Sequence, residues 1–381
     1  MSSLKVNSVV DAAGGNTATV NGYTPTMSNM AGKNRIINGD MRIDQRNAGA
    51  SVTPSNTSKT YTVDRFAYIP SQGSKFAFQQ TPSVTETGYA TRVAAGFTNY
   101  LAATSQSAYA IGSTDYFLLG QYIEGFNTID LAWGTAAAKP VTLSFWVYSS
   151  LTGNFGATIN NNNDQSYPVL YNIPVANTWT YVTINIPGAT SGTWNKTTGQ
   201  GIAVQFSLGT GSTYCGTSGV WSGTVYLGAT GQVNVVGTSG ATFFITGVQL
   251  EAGSVATPFE HRQYGQELAL CQRYYWRNQP TITNSAMFGS GYADSSTRAI
   301  FTAPLPVPMR TTPSMGFASA GSFVFITSGT SPTCTSISAY RVSPIAYSFN
   351  MFCASGLTAG QALLSSDSGT TSAYIETQAE L

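Results

Sequence analysis

Short segments in which apolar and polar residues alternate recur along most of this chain. Four clear examples are TLSFWVYSS at 142–150, TWTYVTINIPG at 178–188, GIAVQFSLGTG at 201–211 and TFFITGVQLE at 242–251. Successive side chains of a strand point to opposite faces, so a period of two predicts β-strands. Each segment is rich in β-branched and aromatic residues and ends at Gly, Pro, Asn or Ser. The pattern therefore predicts an all-β fold, an antiparallel β-sandwich.

The same pattern divides the chain into four parts. Dense strand segments span 34–262, a size that suits one large sandwich. Pro258 interrupts them, and QYGQELALCQRYYW then predicts an amphipathic helix at 263–277. Strand-like segments return at 278–381 and predict a second, smaller β-domain. Residues 1–33 are too few for a core of their own, and their scattered apolar side chains predict docking onto a partner.

The predicted helix carries a single apolar stripe. Tyr264, Leu268, Cys271 and Tyr275 are spaced i, i+4, i+7 and i+11 along it. A helix of this length with one apolar face is not stable alone in water. It must therefore pack either on the sandwich of its own chain or on copies of itself.

The composition excludes several classes of partner. Hydrophobic residues make up 42% of the chain, enough for a large core, while charged residues make up only 9% and the net charge is +1. This balance lacks the basic stripe of a nucleic-acid binder. It also favours self-association, which a specific oligomer would satisfy. The N-terminal MSSLKVNSVVDAAGG shows no signal-peptide pattern, and no apolar run reaches the length of a membrane span.

The four cysteines do not predict a zinc site. Cys215, Cys271, Cys334 and Cys353 include no CxxC pair, and His261 is the one histidine. Reduced and partly buried thiols are the expectation for these residues. Cys334 and Cys353 could pair across neighbouring strands, and the sequence leaves their state open.

Three stretches carry a resemblance to a known family. They are NRIINGDMRIDQRNAGASVT at 34–53, YTVDRF at 61–66 and FFITGVQLEAGSVATPFEHRQYGQELALCQRYYW at 243–276. Together they resemble bacteriophage tail fibre proteins, in which an attachment segment precedes a jelly roll similar to carbohydrate-binding modules. In that family a short helix then leads to a variable C-terminal β-domain. The resemblance says little about residues after 276.

The resemblance implies a homotrimeric virion protein made in the host cytoplasm. Residues 1–33 would attach to a tail or baseplate protein, and the helix would form a threefold bundle. RIINGDMRI and FFITGVQLE would be the first and last strands of the jelly roll and would pair. The expected partner is a host surface polysaccharide, and no cofactor is required. A calcium ion bound by Asn38, Asp40 and Glu251 is a further possibility, because such jelly rolls often hold one near their terminal strands.

Catalysis has little support in the sequence. Glycoside hydrolysis needs two carboxylates across a cleft, and the 16 acidic residues are scattered. We interpret Glu251 and Arg262 as a structural ion pair, and His261 as a structural hydrogen-bonding residue. The Gly-rich GTGSTYCGTSG lacks the Lys and the helix of a phosphate loop. A non-enzymatic protein is expected, with a structural connector without a receptor, or a polysaccharide depolymerase, as alternatives.

Aromatic residues in loop-like stretches are the candidate sugar platforms. Loops concentrate binding residues, and pyranose rings stack on exposed aromatic faces. The candidates are Trp194, Tyr214 and Trp221 in the sandwich and Tyr292 and Tyr340 in the C-terminal domain. The alternative for Trp194 and Trp221 is packing at a loop base or against a neighbouring subunit. Trp146 and Trp179 lie in predicted strands and are expected in the core.

Overall fold

The structure is a computed structural model that describes residues 32–82, 96–327 and 331–381. The chain divides into two compact units, one ending at Arg262 and the other beginning at Gln263. The proposed attachment segment, residues 1–33, lies outside the described residues except for its last two positions. No helix among the described residues is long and apolar enough to cross a membrane.

The first unit is built from two antiparallel sheets. One has six strands in the order β1-β2-β5-β10-β7-β8, and the other has five in the order β3-β4-β13-β6-β9; β11 and β12 form a small parallel pair. The strands are β1 (Thr60–Val63), β2 (Phe66–Pro70), β3 (Phe76–Pro82), β4 (Asn99–Ser105), β5 (Tyr116–Glu124), β6 (Val141–Ser149), β7 (Gly153–Asn160), β8 (Ser166–Ile173), β9 (Thr180–Ile186), β10 (Gln200–Thr210), β11 (Cys215–Gly216), β12 (Gly228–Ala229) and β13 (Thr242–Ala252). Short 3-10 helices occupy Gly125–Leu131, Ser212–Tyr214 and Val235–Gly237.

The inward faces of the two sheets form one hydrophobic core. Phe145 of the five-stranded sheet meets Phe206 of the six-stranded sheet with ring centroids 4.9 Å apart in an edge-to-face arrangement. Phe155 and Phe243 extend this contact along the interior. Burial of alternate residues on both sheets is what the period-two pattern requires.

The first predicted strand is wrong in detail. RIINGDMRI forms no strand, although it runs beside β13. The Arg35 N–H donates to the Leu250 carbonyl at 2.8 Å, and the Val248 N–H donates to the Gly39 carbonyl at 2.9 Å. A Cβ on Gly39 would lie within 2.2 Å of the Val248 carbonyl oxygen, so the close approach needs glycine there. Positive φ values at Asn38 and Met41 then prevent a regular ladder.

The second unit begins with a helix and continues as β-structure. Its two sheets have the orders β14-β22-β17 and β18-β21-β15-β16-β20-β19. The elements are α1 (Tyr264–Gln272), β14 (Tyr275–Asn278), β15 (Met287–Ala293), β16 (Arg298–Pro304), β17 (Ser314–Phe317), β18 (Phe323–Ile326), β19 (Ser336–Val342), β20 (Ala346–Phe352), β21 (Ala362–Asp367) and β22 (Ile375–Gln378), with a 3-10 turn at Ala320–Ser322. The predicted fold class, an antiparallel jelly-roll sandwich followed by a short helix and a smaller β-domain, is confirmed.

The helix is shorter than the predicted range of 263–277. It ends at Gln272, and Tyr275 opens β14, which pairs with β22. Aromatic residues favour strands, and the ladder with β22 outweighs the helical spacing. The predicted stripe is therefore split: Tyr264 is 56% exposed, Leu268 is half-buried, and Cys271 is fully buried. Tyr275 is buried as a strand residue and not on the helix.

All four cysteines are free thiols. Cys271, Cys334 and Cys353 are buried, whereas Cys215 is half-buried. Burial raises the pKa of Cys334 to about 11, partly opposed by backbone hydrogen bonds. A thiol with a raised pKa holds little thiolate at neutral pH, so this buried cysteine is a weak nucleophile.

Candidate functional site

The outward face of β6 carries polar and partly exposed aromatic residues, whereas its inward face is apolar and buried. Phe145 and Val147 point into the core, so Ser144, Trp146 and Tyr148 point outward from the five-stranded sheet. Trp146 is only half-buried. The expectation that this tryptophan belongs to the core is wrong, because its strand position places it on the opposite face.

Trp146 is flanked by residues of both neighbouring strands. It is paired with Tyr181 on β9 and with Thr246 on β13. The rings of Trp146 and Tyr181 have centroids 5.2 Å apart and are tilted by 46°. Tyr181 is 46% exposed. The two rings together form a platform that a ligand can reach from solvent.

The segment after β13 builds a wall over this platform. We call residues 253–262 the closing segment. Gln249 points outward from β13 and accepts from the Glu260 N–H at 2.9 Å, while its amide donates to the Thr257 carbonyl at 3.2 Å. These bonds hold the closing segment against the outer side of the sheet. Pro258 and Phe259 thereby line a cavity of about 340 Å³ above Trp146, which we call the aromatic cleft.

Three rings make up the far wall of the aromatic cleft. Phe97 lies edge-on to Phe259 at 5.0 Å and lies 5.4 Å from the ring of His261. The Phe259 and His261 rings are 5.0 Å apart. Phe97 is 2% exposed, so its part of the wall is fixed by packing before any ligand arrives, whereas Phe259 is half-buried and His261 is exposed.

A glycine keeps the floor of the cleft clear. Gly247 has φ +63°, and it sits where the register between β13 and β6 shifts. A Cβ at this position would lie 2.6 Å from the ring of Phe97. The bulge therefore needs a residue that tolerates a left-handed backbone and has no side chain.

The described lining of the cleft carries few ionisable groups. Among the residues that the structure describes, the lining includes His261 but no Asp, Glu, Lys or Arg. The Ser144 hydroxyl, on a residue that is 2% exposed, the Trp146 indole N–H and the Tyr181 hydroxyl make no hydrogen bond to other described residues. These donors and acceptors are free for a ligand that presents an apolar face together with hydroxyl groups. Binding sites commonly combine such apolar walls with a few polar groups.

The other outward aromatics of this sheet pack on one another. Tyr148 and Phe244 are stacked with ring planes 4° apart, and Trp179 lies against Tyr148 at 5.7 Å. Trp179 also meets Tyr100 edge-on at 5.6 Å. Trp179 is 6% exposed, so it stiffens the sheet beside the cleft and offers no free face.

The predicted sugar platform at Trp194 is wrong. Trp194 is 8% exposed, and its indole N–H donates to the Ser191 carbonyl at 2.9 Å. Its ring lies edge-on to Trp133 at 4.7 Å. Trp221 is half-buried, packs at 5.5 Å from Trp133 and donates to the Pro187 carbonyl at 2.9 Å. For both, the structure shows packing at a loop base.

The remaining aromatic candidates are more open. Tyr214 is half-buried and edge-on to Tyr116. In the second unit Tyr292 is 50% exposed and Tyr340 is 47% exposed. The pKa of Arg298 is raised, chiefly by hydrogen bonds to Asp294 and to a smaller degree by Tyr340 and Tyr292. The two tyrosines therefore lie beside one arginine.

The residues named for a calcium ion are partly occupied by protein partners. The Asn38 amide donates to the Ile43 and Asp64 carbonyls, and its oxygen accepts from the Ile43 N–H. Asp40 is paired with Arg42. Among the described ranges, no three His, Cys, Asp or Glu side chains gather as a metal site. The Asn38 and Glu251 side-chain oxygens accept from protein donors, whereas one Asp40 carboxylate oxygen is buried without a hydrogen-bond partner, so calcium binding at these residues stays a prediction.

The expected pairing of Glu251 with Arg262 is also wrong. Glu251 accepts from the Thr257 N–H at 2.9 Å and from the Thr257 hydroxyl at 2.6 Å. Arg262 is paired instead with Glu260 at 3.2 Å. The Pro-containing turn of the closing segment brings Thr257, and not Arg262, to the end of β13.

Comparison with known proteins gives fold-level likeness only. No protein-family model matches the chain, and no curated protein matches it. A solved structure described as CBM4 has 13% identity and a TM-score of 0.25, covering 40% of this chain and 71% of its own. The family 11 carbohydrate-binding module of Clostridium thermocellum, in complex with a mixed-linked tetrasaccharide, has 11% identity, coverage of 55% and 100%, and a TM-score of 0.26.

A viral structure also aligns. It is the enzymatically active domain of bacteriophage CBA120 tailspike protein 4, with 13% identity and a TM-score of 0.30. The alignment covers 58% of this chain and 21% of the tailspike chain, so the protein spans about a fifth of that structure. At these scores none of the three assigns a function.

Proposed function

We propose that this chain is a bacteriophage tail fibre protein that binds a neutral host surface polysaccharide through the aromatic cleft. The observation that carries the proposal is the pair Trp146 and Tyr181, two partly exposed rings in a cavity whose described lining has no Asp, Glu, Lys or Arg. The indole N–H and the phenol hydroxyl of this pair make no hydrogen bond to other described residues. A pyranose has an apolar face and a rim of hydroxyls. It can stack on these rings while Ser144 and the two ring donors bind its hydroxyls.

The expected affinity for one site is low. Covering an aromatic ring removes apolar area from water at about 25 cal/mol per Å², so one stacked sugar gains only about 1–2 kcal/mol net. A homotrimer presents three clefts, and the second and third contacts on one polymer then form at high effective concentration. Low charge and a net charge of +1 favour such a specific assembly.

The protein is proposed to bind without cleaving. Glycoside hydrolysis needs an acid and a second carboxylate or base flanking the bond. Within the described part of the chain, no carboxylate lines the aromatic cleft. In the proposed assembly residues 1–33 attach to the tail or baseplate, and the C-terminal β-domain is the distal head. The protein then acts in the virion, at the step of host adsorption.

A glycan array probed with the full-length protein tests the binding proposal. We expect signals on neutral polysaccharides and none that require an anionic sugar. An array with no signal, or with signals that survive loss of the Trp146 ring, would reject the cleft and favour a connector without a receptor. Release of reducing ends from a bound polysaccharide would instead establish a depolymerase.

Light scattering of the same protein tests the assembly. A homotrimer has three times the chain mass of 40.2 kDa. A monodisperse monomer would reject the trimeric fibre and leave a single-chain sugar-binding protein. The two measurements are independent, so either part of the proposal can fail alone.

A further inference from the structure

A second cavity opens at one end of the sandwich. It has a volume of about 380 Å³ and lies between the turn before β5, the end of β10 and the turn after β12. Its polar lining includes Ser113, Ser212, Thr230 and Asn234. We call it the end cavity. None of its lining residues is aromatic or charged, which separates it in chemistry from the aromatic cleft.

Several polar groups of the end cavity have no partner among the described residues. The hydroxyls of Ser113, Ser212 and Thr230, which are exposed residues, make no hydrogen bond there, and neither does the side-chain N–H₂ of the half-buried Asn234. Three hydroxyls can donate or accept, and the amide donates. The set suits a neutral ligand with several hydroxyl groups of its own.

The walls that carry these groups are held in place. Asp115 accepts from the Gly112 N–H at 2.8 Å and from the Tyr109 hydroxyl at 2.9 Å, which fixes the turn bearing Ser113. Burial would raise the pKa of Asp115, but these hydrogen bonds hold it below its usual value. The Asn234 side-chain oxygen accepts from the Thr210 N–H at 3.1 Å, which points its amide group.

The turn after β12 is anchored in the same way. The Gln232 oxygen accepts from the Ala229 N–H at 3.0 Å, and its amide donates to the Ser207 hydroxyl at 2.6 Å. The Gln232 side chain is therefore hydrogen-bonded within the protein, and it positions the neighbouring Thr230. Donors fixed in this way lose little freedom when a ligand binds.

We propose that the end cavity is a second sugar site that takes a single neutral sugar residue by hydrogen bonds alone. The ligand class rests on the proposed function, while the site itself rests on the unpartnered groups and the volume. A cavity of this volume lies in the range of about 300–1,000 Å³ typical of small-ligand sites. Because no ring is available for stacking, the site selects by hydroxyl arrangement and not by an extended polymer face.

Cys215 gives the end cavity a built-in reporter. Its thiol lines the cavity and donates to the Thr210 carbonyl at 3.4 Å. It is half-buried, whereas the other three cysteines are buried. Burial raises the pKa of Cys215, so alkylation will be slow enough to follow over time. A sugar seated in the cavity covers this thiol.

The test is the rate of iodoacetamide alkylation of Cys215 in the intact full-length protein, followed by peptide mass spectrometry. The probes are the methyl glycosides of glucose, galactose, mannose and N-acetylglucosamine at about 10 mM, roughly tenfold above a millimolar Kd. We expect one probe to slow alkylation about tenfold and saturably. Unchanged rates with all four probes would overturn the site.

Two variants locate the effect. The double variant Thr230→Val and Ser212→Ala removes two exposed hydroxyls and should raise the probe concentration that gives half-maximal protection about tenfold. Its thermal unfolding should be unchanged. Trp146→Ala should leave protection intact while array binding falls. Protection that survives the double variant, or disappears in Trp146→Ala, would overturn the end cavity. A failed array with intact Cys215 protection would reject only the cleft.

Discussion

Glu260 accepts a hydrogen bond from the backbone N–H of Asn34 at 2.8 Å, across a sequence separation of 226 residues. Its other oxygen accepts from the Gly32 N–H at 2.6 Å. Arg262 donates to the Ile36 carbonyl at 3.1 Å and pairs with Glu260. The start and the end of the first unit are therefore fastened to each other by one carboxylate and one guanidinium.

Replacing Glu260 with Gln should loosen this fastening. The amide keeps the size of the carboxylate but turns an N–H₂ group towards one of the two backbone donors. Hydrogen bonds to charged groups contribute about 1.5–3 kcal/mol, so we expect a loss of about 2 kcal/mol in the free energy of unfolding of the first unit. Denaturant unfolding measures it.

Asp130→Asn is the matched control. Asp130 is paired with Arg35 at 2.5 Å, but its side chain is 39% exposed, and such pairs contribute little. An equal effect of the two substitutions would contradict the fastening role of Glu260.

Loss of the Trp146 ring should reduce glycan binding. Trp146→Ala removes half of the aromatic platform, and a loss of about 1–2 kcal/mol corresponds to roughly a 5- to 30-fold weaker Kd. Titration of the glycan selected on the array measures this change. Tyr292→Ala removes a more exposed ring from the second unit and should leave cleft binding unchanged. If Tyr292→Ala alone weakens binding, the receptor site belongs to the head.

Gly247→Ala should close the cleft and strain β13. A left-handed backbone costs an alanine about 1–2 kcal/mol, and the new Cβ would press on the buried Phe97 ring at 2.6 Å. Gly240→Ala is the control, because Gly240 has φ +74° and nothing within 4 Å of its would-be Cβ. We expect Gly240→Ala to lose only the stability that a left-handed backbone costs an alanine, and to keep glycan binding. Equal Tm losses in the two variants would argue against the contact with Phe97.

The alternating pattern was sufficient to predict the sandwich but not the site. Period two shows that Phe145 and Trp146 face opposite ways, yet it does not say which face is inward when both carry aromatics. The combination of Ser144 and Trp146 on one face, against Phe145 and Val147 on the other, is the signal that identifies the outer side. The wall of the cleft depends on a turn in the closing segment, a non-local contact that no short pattern encodes.

The helix shows a different limit. Spacing over QYGQELALCQRYYW fits a helix through Tyr275, but pairing of β14 with β22 is set by residues about a hundred positions later. Local spacing cannot weigh that competition. Trp194 was misassigned for a related reason, because its loop folds back so that the ring meets Trp133.

The exposed tyrosine of the helix tests the proposed trimer. Tyr264 is 56% exposed, so its ring is accessible to a neighbouring copy of the chain. If α1 packs on copies of itself, Tyr264→Glu places three charges together and should yield monomers in light scattering. Gln266→Glu puts the same charge on an exposed position of the same helix and should leave the trimer intact. A trimer that tolerates both substitutions would move the contact away from this helix.

Asp367 should make the second unit sensitive to acid. It is 2% exposed and accepts from the Asn284 N–H at 2.6 Å and the Ala286 N–H at 3.0 Å. Burial would raise the pKa of Asp367, but these backbone hydrogen bonds prevail and lower it. A lowered folded-state pKa gives stability that is present above the unfolded pKa of about 3.9 and is lost as pH falls through the folded value.

Asp367→Asn should therefore lower the free energy of unfolding of the second unit at pH 7 by about 1.5–3 kcal/mol, and its Tm should fall accordingly. The gap between the variant and the native protein should shrink below about pH 4, where the Asp367 carboxylate of the unfolded chain takes up a proton while that of the folded protein stays ionised. Calorimetry at pH 7 and pH 3 measures both. Asp294→Asn removes a carboxylate paired with the 44%-exposed Arg298, and should cost less than about 1 kcal/mol. A gap for Asp367→Asn that stays constant with pH would mean that shape, and not charge, makes Asp367 necessary.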